Sequence, residues 1–258
     1  MLYAKKATNK KQTPNHQYNN RFRSIQEDVP FGYVEAYKTL RTNLEFIASV
    51  NDTKCIMVTS AIPEESKSTT AVNLAIALAN NGRSVVLVEC DLRKPILRKY
   101  LKMERRVDGS EIKGLSSLLA GEASLGECLY RVKKYDISVI VSGKLPPNPS
   151  ELLNHNRMGA LLNVLMERFD FVIIDAPPVT VVTDAAVVGR FVDGALLVVR
   201  SKYAPTKMIQ LAKQRLEDVN IKILGSVITR YDVKKSGWYS GYDYAGYEYG
   251  YGQSRSKK

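Results

Sequence analysis

Apolar residues in this chain fall into two patterns that take turns. Short unbroken runs occupy 54–60 (KCIMVTS), 84–90 (SVVLVEC), 137–143 (ISVIVSG), 171–178 (FVIIDAPP), 194–200 (GALLVVR) and 222–230 (KILGSVITR). Continuous rather than alternating apolar character marks strands covered on both faces. Between these runs, apolar positions recur every three to four residues, as on one face of a helix. Such stripes fall at 35–49 (apolar at 37, 40, 44, 47 and 48), 68–82, 149–169, from Asp184 onward, and at 206–219. Asn81-Gly82 closes the second of them as a helix stop. The stretch 114–132 predicts short helices. Strands alternating with helices predict parallel crossovers, hence an α/β fold with a doubly wound, mostly parallel sheet.

Three segments follow. Residues 1–30 are polar and basic, with no aliphatic pattern, and read as a flexible or loosely docked segment. Residues 31–232 form the α/β domain. Residues 233–258 form a flexible tail in which Tyr239, Tyr242, Tyr244, Tyr247, Tyr249 and Tyr251 are spaced mostly by glycine. No core is possible in the tail, so its tyrosines are expected to be exposed.

Charge sharpens the picture. A formal net charge of +12 on 258 residues favours an anionic partner: nucleotide, nucleic acid, acidic membrane surface or phosphoprotein. Much of the excess sits at the ends, where Lys5, Lys6, Lys10, Lys11, Arg21 and Arg23 precede any acid, and solvated tails explain it equally well. A further basic run spans 93–106. The three cysteines at 55, 90 and 128 and the histidines at 16 and 155 show no metal or disulfide spacing, which points to a reducing cytosol. The absence of an apolar run of membrane-spanning length points to a soluble chain.

Ligands of open parallel sheets sit beyond the carboxyl ends of the strands, often at a helix N-terminus. The first strand ends in TSAIPEESKSTTAVNLA. The phosphate-loop pattern is G-x4-G-K-[ST]; here it reads Ala61-x4-Ser66-Lys67-Ser68, with both glycines missing. Backbone amides of Pro63, Glu64, Glu65, Ser66, Lys67, Ser68 and Thr69 surround the site a phosphate would take, proline lacking an N–H of its own. Lys67 is placed for the β/γ-phosphates of ATP and Ser68 for Mg²⁺. Taken alone, SKST is also a plain helix cap. Two other strand ends add acids: Glu89 and Asp91, followed by Arg93, and Asp175. An acid at a strand end beside a phosphate loop is a Mg²⁺ or water-positioning ligand. Three converging strand ends make a nucleotide site the better reading. Ser68, Asp91 and Asp175 are its metal ligands, and Lys67, Glu89, Asp91, Arg93 and Asp175 its catalytic candidates.

These motifs, with LPPNPSELL (145–153), TDAAVVGRFVDGALLVVR (183–200), EAYKTLRTNL (35–44) and the tyrosine cluster, resemble the bacterial tyrosine autokinases of capsule and exopolysaccharide operons. That family is built on a P-loop NTPase fold of MinD/ParA type. The resemblance implies transfer of the γ-phosphoryl of ATP, with Mg²⁺, to the tyrosine cluster of a neighbouring copy. It implies a ring assembled through Glu35, Lys38 and Arg41 when unphosphorylated. It implies a membrane-embedded activator, a polysaccharide co-polymerase whose cytoplasmic segment completes the ATP site. A cognate tyrosine phosphatase, and a place at the inner face of the plasma membrane through the partner, are implied as well. Thr229 and Arg230 fall where relatives contact the adenine.

The chain departs from the family pattern at Glu64 and Ser66 (glycines in relatives), at Glu89 (aspartate) and at Lys38 (arginine). Either Glu89 or Asp91 orients or deprotonates the incoming tyrosine. Three rival readings remain. A MinD/ParA-type switch would carry an early loop lysine, which Ala61-Ile62-Pro63 lacks. A catalytically weakened adaptor is suggested by the loop substitutions. An RNA-binding tail would interleave arginines with its tyrosines, and 239–252 has none, so no nucleic-acid partner is expected.

Overall fold

The computed structural model describes residues 22–103 and 111–231. Along the chain run α1 (Phe31–Asn51), β1 (Cys55–Ser60), α2 (Lys67–Ala79), β2 (Val85–Glu89), α3 (Leu97–Tyr100), α4 (Leu115–Ala120), α5 (Leu125–Cys128), β3 (Tyr130–Val132) and β4 (Ile137–Ile140). Then come α6 (Pro149–Leu153), α7 (Asn156–Arg168), β5 (Phe171–Asp175), α8 (Asp184–Gly189), β6 (Gly194–Arg200), α9 (Thr206–Glu217) and β7 (Ile223–Thr229). The strands form one sheet in the order β3-β4-β2-β5-β1-β6-β7. All pairings are parallel except β3 with β4.

Side chains alternate between the two faces, and each face has its own core. Ile56, Val58, Leu87, Ile173 and Val198 pack with Leu44 of α1 and with the apolar residues of α2 between Ala71 and Ala79. Met57, Val86, Val88, Ile174 and Leu197 pack with Leu161, Leu162 and Leu165 of α7 and Leu216 of α9. Burial on both faces is what the unbroken apolar runs require. β7, at the edge, is only partly buried.

The predicted helix over 149–169 is two helices. Asn154 ends α6, and His155, in extended backbone, caps α7 by accepting from the Arg157 amide. The apolar stripe runs through the break because Leu153 and Met158 are both buried, so periodicity alone does not show it. β3 is a three-residue, half-buried strand at the antiparallel edge, too short to leave a pattern.

The boundary at residue 30 falls inside docked structure. Ser24 and Ile25 are buried, and Phe22 stacks on Tyr100 with ring centroids 4.7 Å apart. Asn73, the polar residue in the middle of α2, holds this segment. It accepts from the Ile25 amide and donates to the Arg23 carbonyl and the Tyr33 hydroxyl. The tyrosine cluster, from Tyr239 to Tyr251, lies outside the described residues.

Candidate active site

Three parallel strands deliver the site. β1 lies beside β5 and β5 beside β2, so Val58 pairs with Asp175 and Asp175 with Glu89. The loop after β1 then turns into α2. Its shape is the one glycines usually provide: Glu64 and Ser66 have φ of 65° and 71°. Left-handed backbone at a residue bearing a Cβ is strained, and the surroundings must impose it.

They do so through Glu65, which is fully buried. Its carboxylate accepts the amides of Ile62 (2.8 Å) and Arg200 (3.1 Å), and its carbonyl accepts the Thr229 hydroxyl (2.9 Å). The Thr180 hydroxyl donates to the Ala61 carbonyl, and Thr70 ties back to Ser66. Glu65 therefore points into the scaffold, away from any phosphate. Glu64 points outward, toward the Tyr203 hydroxyl, and Arg200 stacks 4.2 Å over the Tyr203 ring. Pro63 lies exposed at the rim of the turn.

Ser66 precedes α2 without capping it through its side chain, and no acid sits in the first turn. The amides at the head of this helix are thus left for an anion, with the helix dipole behind them. Lys67 leans across this space. Its Nζ lies 3.0 Å from Asp91 Oδ2, 3.4 Å from Asp175 Oδ1 and 3.3 Å from Ser68 Oγ. Burial works against its charge, but the carboxylates of Asp175 and Asp91 hold Lys67 above the ordinary lysine value. Burial pushes Asp175 up, against the pull of Lys67 and Ser68. Asp175 Oδ2 is buried with no hydrogen-bond partner among the described residues. An orphaned oxygen on a carboxylate that shares Lys67 with the Ser68 hydroxyl and the Asp91 carboxylate suits a hydrated divalent cation. Mg²⁺ in particular takes one or two carboxylates and leaves its other positions to water and phosphate.

The structure thus brings Lys67, Ser68, Asp91 and Asp175 together. It separates Glu89 and Arg93 from them. The Glu89 carboxylate is buried, with Oε1 accepting the amides of Ile96 (2.6 Å) and Leu97 (2.7 Å) and Oε2 that of Ser142 (2.9 Å). These contacts tie the 91–97 loop to the end of β4. Burial still raises its pKa, against the pull of those amides. Arg93 forks onto Asp184, with Nε 2.8 Å from Oδ2 and Nη2 3.0 Å from Oδ1, and also donates to Ser150. Thr229 buttresses the loop as described, and Arg230 follows it with φ of 52°. Glu35, Lys38 and Arg41 lie on α1, where Lys38 pairs with Glu35 and Arg41 with Glu45.

Asp184, Ser150, Ser142 and Arg200 carry no sequence signal of their own for this site. Each acts on a residue distant in the chain, and the Thr183-Asp184 helix start is the only local cue.

The AAA domain family matches residues 53–225. The tyrosine-protein kinase YwqD of Bacillus subtilis is 37% identical over 212 residues, covering 82% of this chain and 86% of that protein. The tyrosine-protein kinase CpsD of Streptococcus agalactiae is 32% identical over 196 residues, covering 76% of this chain and 82% of that one. The solved kinase domain of the Escherichia coli tyrosine kinase ETK superposes with a TM-score of 0.71 at 36% identity, covering 77% of each chain. This chain spans 29% of the full-length Escherichia coli protein. A phosphate loop stripped of its glycines is weak ground alone, but it keeps its lysine and its acids in a domain shared with these enzymes along most of its length. The chain belongs to the bacterial tyrosine-protein kinases.

Proposed function

We propose that this protein moves the γ-phosphoryl group of ATP onto tyrosine hydroxyls in segment 239–251 of a neighbouring copy. The observation that carries the reading is Lys67, held between Asp91 and Asp175 at the uncapped head of α2. Phosphoryl transfer asks for in-line positioning and neutralised charge more than for covalent chemistry. The amides around 63–69 take the phosphates, and Lys67 turns from its carboxylates to the β/γ oxygens. Thr229 and Arg230 border the nucleotide from the end of β7. Ser68, with Asp175 and Asp91 directly or through water, would hold Mg²⁺, which would screen the phosphate charge when bound.

The release of Lys67 frees Asp91 Oδ2. Asp91 then accepts the phenolic proton as the tyrosine oxygen bonds to the γ-phosphorus and the bond to the β–γ bridging oxygen breaks, leaving ADP. A phenol of ordinary pKa about 10 needs such a base near neutral pH. Asp91 is favoured over Glu89 because the Glu89 oxygens are occupied by three amides. Arg93 serves by fixing the loop that carries Asp91.

The glycine-rich spacing of the cluster would let successive tyrosines reach one site. Each added phosphate contributes about −1.5 to −2 charges, which would drive copies apart. α1 supports a ring contact: it carries Glu35, Lys38 and Arg41 together with Phe46 and Val50, which are 71% and 68% exposed. No helix among the described residues is long and apolar enough to cross a membrane. The proposed membrane partner therefore supplies the link to capsule or exopolysaccharide assembly at the inner face, and a phosphatase resets the cluster.

The test mixes two forms: the full chain carrying Lys67→Met, and an active form ending at residue 231. Both are incubated with Mg-ATP, with and without the cytoplasmic segment of a candidate membrane partner. Phosphate on Tyr239 to Tyr251 of the Lys67→Met chain, read by mass spectrometry, is the expected result. Nucleotide binding without any phosphotyrosine would instead favour a weakened adaptor, a reading that Glu64, Ser66 and Glu89 motivate.

A further inference from the structure

A cavity of about 400 Å³ opens beside the 91–97 loop, lined by Pro95, Arg98, Lys99, Met103, Gly143 and Leu145. It lies at the carboxyl ends of β2 and β4, on the same side of the sheet as the nucleotide site. Pro95 stands four residues beyond Asp91, so one loop carries both the candidate base and a wall of the cavity. Glu89 braces this junction from below, through its bonds to Ile96, Leu97 and Ser142. Pro95, Met103 and Leu145 give the cavity an apolar side, with Leu145 58% exposed. Arg98 and Lys99 are exposed on α3 and form no ion pair among the described residues.

We propose that this cleft is the acceptor subsite: it takes a tyrosine ring against Leu145 and Met103 while Arg98 and Lys99 meet a carboxylate next to that tyrosine. The proposal rests on the kinase reading above. The occupant is segment 239–251 of a second copy, and its sequence argues for it. Its only acids are Asp243, between Tyr242 and Tyr244, and Glu248, between Tyr247 and Tyr249. Four of its six tyrosines therefore have a carboxylate as an immediate neighbour. An apolar cleft with a cationic rim suits that pairing of ring and acid, and the charge match sets specificity. Tyr239 and Tyr251, without an adjacent acid, are the poorer acceptors. Glu89 is a positioning residue here, because it fixes the two walls and touches neither substrate.

The probe is the synthetic peptide of residues 239–252, fluorescein-labelled and titrated against the full chain by anisotropy. Arg98→Glu with Lys99→Glu is expected to weaken binding by about tenfold or more. A peptide with Asp243→Lys and Glu248→Lys should recover affinity on the reversed cleft. In steady state, the KM for the peptide should rise by a similar factor while the KM for ATP stays within about twofold. Equal binding of the native peptide by both proteins, or no binding to the native chain at millimolar peptide, overturns the cleft. A peptide that binds through Arg98 and Lys99 but is never phosphorylated overturns the kinase reading and leaves the cleft standing. A peptide that is phosphorylated with an unchanged KM in the variant does the reverse.

Discussion

Glu64 and Ser66 both hold left-handed backbone, at φ of 65° and 71°, on either side of a glutamate whose carboxylate is locked to the amides of Ile62 and Arg200. The loop keeps the glycine-type path without the glycines because Glu65 and Thr229 clamp it from within. Each Cβ in that region costs about 1 kcal/mol or more. The double change Glu64→Gly with Ser66→Gly relieves this strain, less the extra freedom that glycine gives the unfolded chain. A net gain of about 1 kcal/mol is expected, or about 2–4 °C in Tm for a domain of this size. Calorimetry decides it: a lower Tm would mean that the clamp, with the Tyr203 contact of Glu64, stabilises more than the backbone loses.

Asp175 carries a cost at neutral pH. Burial raises its pKa above the unfolded value, so the folded protein holds that proton more tightly than the unfolded chain does. Its favourable contribution is full below the ordinary aspartate value and is lost as pH rises through the folded value. Asp175→Asn removes that loss and leaves Lys67 its closer partner, Asp91. The variant should gain stability relative to the native chain as pH is raised from about 4 toward 7, followed by urea unfolding at each pH. On the proposed mechanism phosphotransfer should fall by about 10² or more, because asparagine lacks the charge that Asp175 would offer Mg²⁺. Stability that falls instead would mean that the attraction between Asp175 and Lys67 outweighs the cost of burying the carboxylate.

What was legible in the sequence was whatever local pattern encodes. The buried strands announced themselves by unbroken apolar runs, and Lys67, Ser68, Asp91 and Asp175 by their places at strand and helix ends. What failed depended on contacts made far along the chain. Glu89 and Asp91 look equivalent as two acids at one strand end; only the amides of Ile96, Leu97 and Ser142 distinguish the acid held by the scaffold from the one paired with Lys67. The pairing of Arg93 with Asp184, ninety-one residues on, leaves no mark in the local sequence. Residues 22–30 read as loose because their anchor, Asn73, lies within another helix.

The Arg93–Asp184 pair gives a geometric prediction. Asp184 is fully buried, Arg93 is 40% exposed in its side chain, and the planar fork matches the carboxylate on both oxygens. Arg93→Ala leaves Asp184 buried with Ser150 as its remaining side-chain partner, which should destabilise the fold by about 2–3 kcal/mol. Arg93→Lys keeps the charge but not the fork and should fall between. Thermal melts of both, beside Arg93→Ala with Asp184→Asn, separate pairing from bulk. If the double variant is no more stable than Arg93→Ala alone, the cost is not the unpaired carboxylate.

Glu89→Gln tests whether the first acid of the pair is a brace or a base. Three amide N–H groups point at its two oxygens. Glutamine supplies one oxygen and an NH₂, so at least one buried donor would meet another donor, at a cost of about 1–3 kcal/mol. Tm should fall, and the KM for the acceptor peptide should rise as the walls of the cleft lose their tie. The value of kcat at saturating peptide should change less than tenfold, whereas Asp91→Asn should lose the 10² to 10⁴ that a positioned base contributes. Glu89→Asp keeps the charge but withdraws the carboxylate by about 1 Å, so it should behave as a milder Glu89→Gln. A kcat loss of about 10³ in Glu89→Gln with Tm unchanged would reassign the proton to Glu89, and a free carboxylate would then have to face the tyrosine in the bound state.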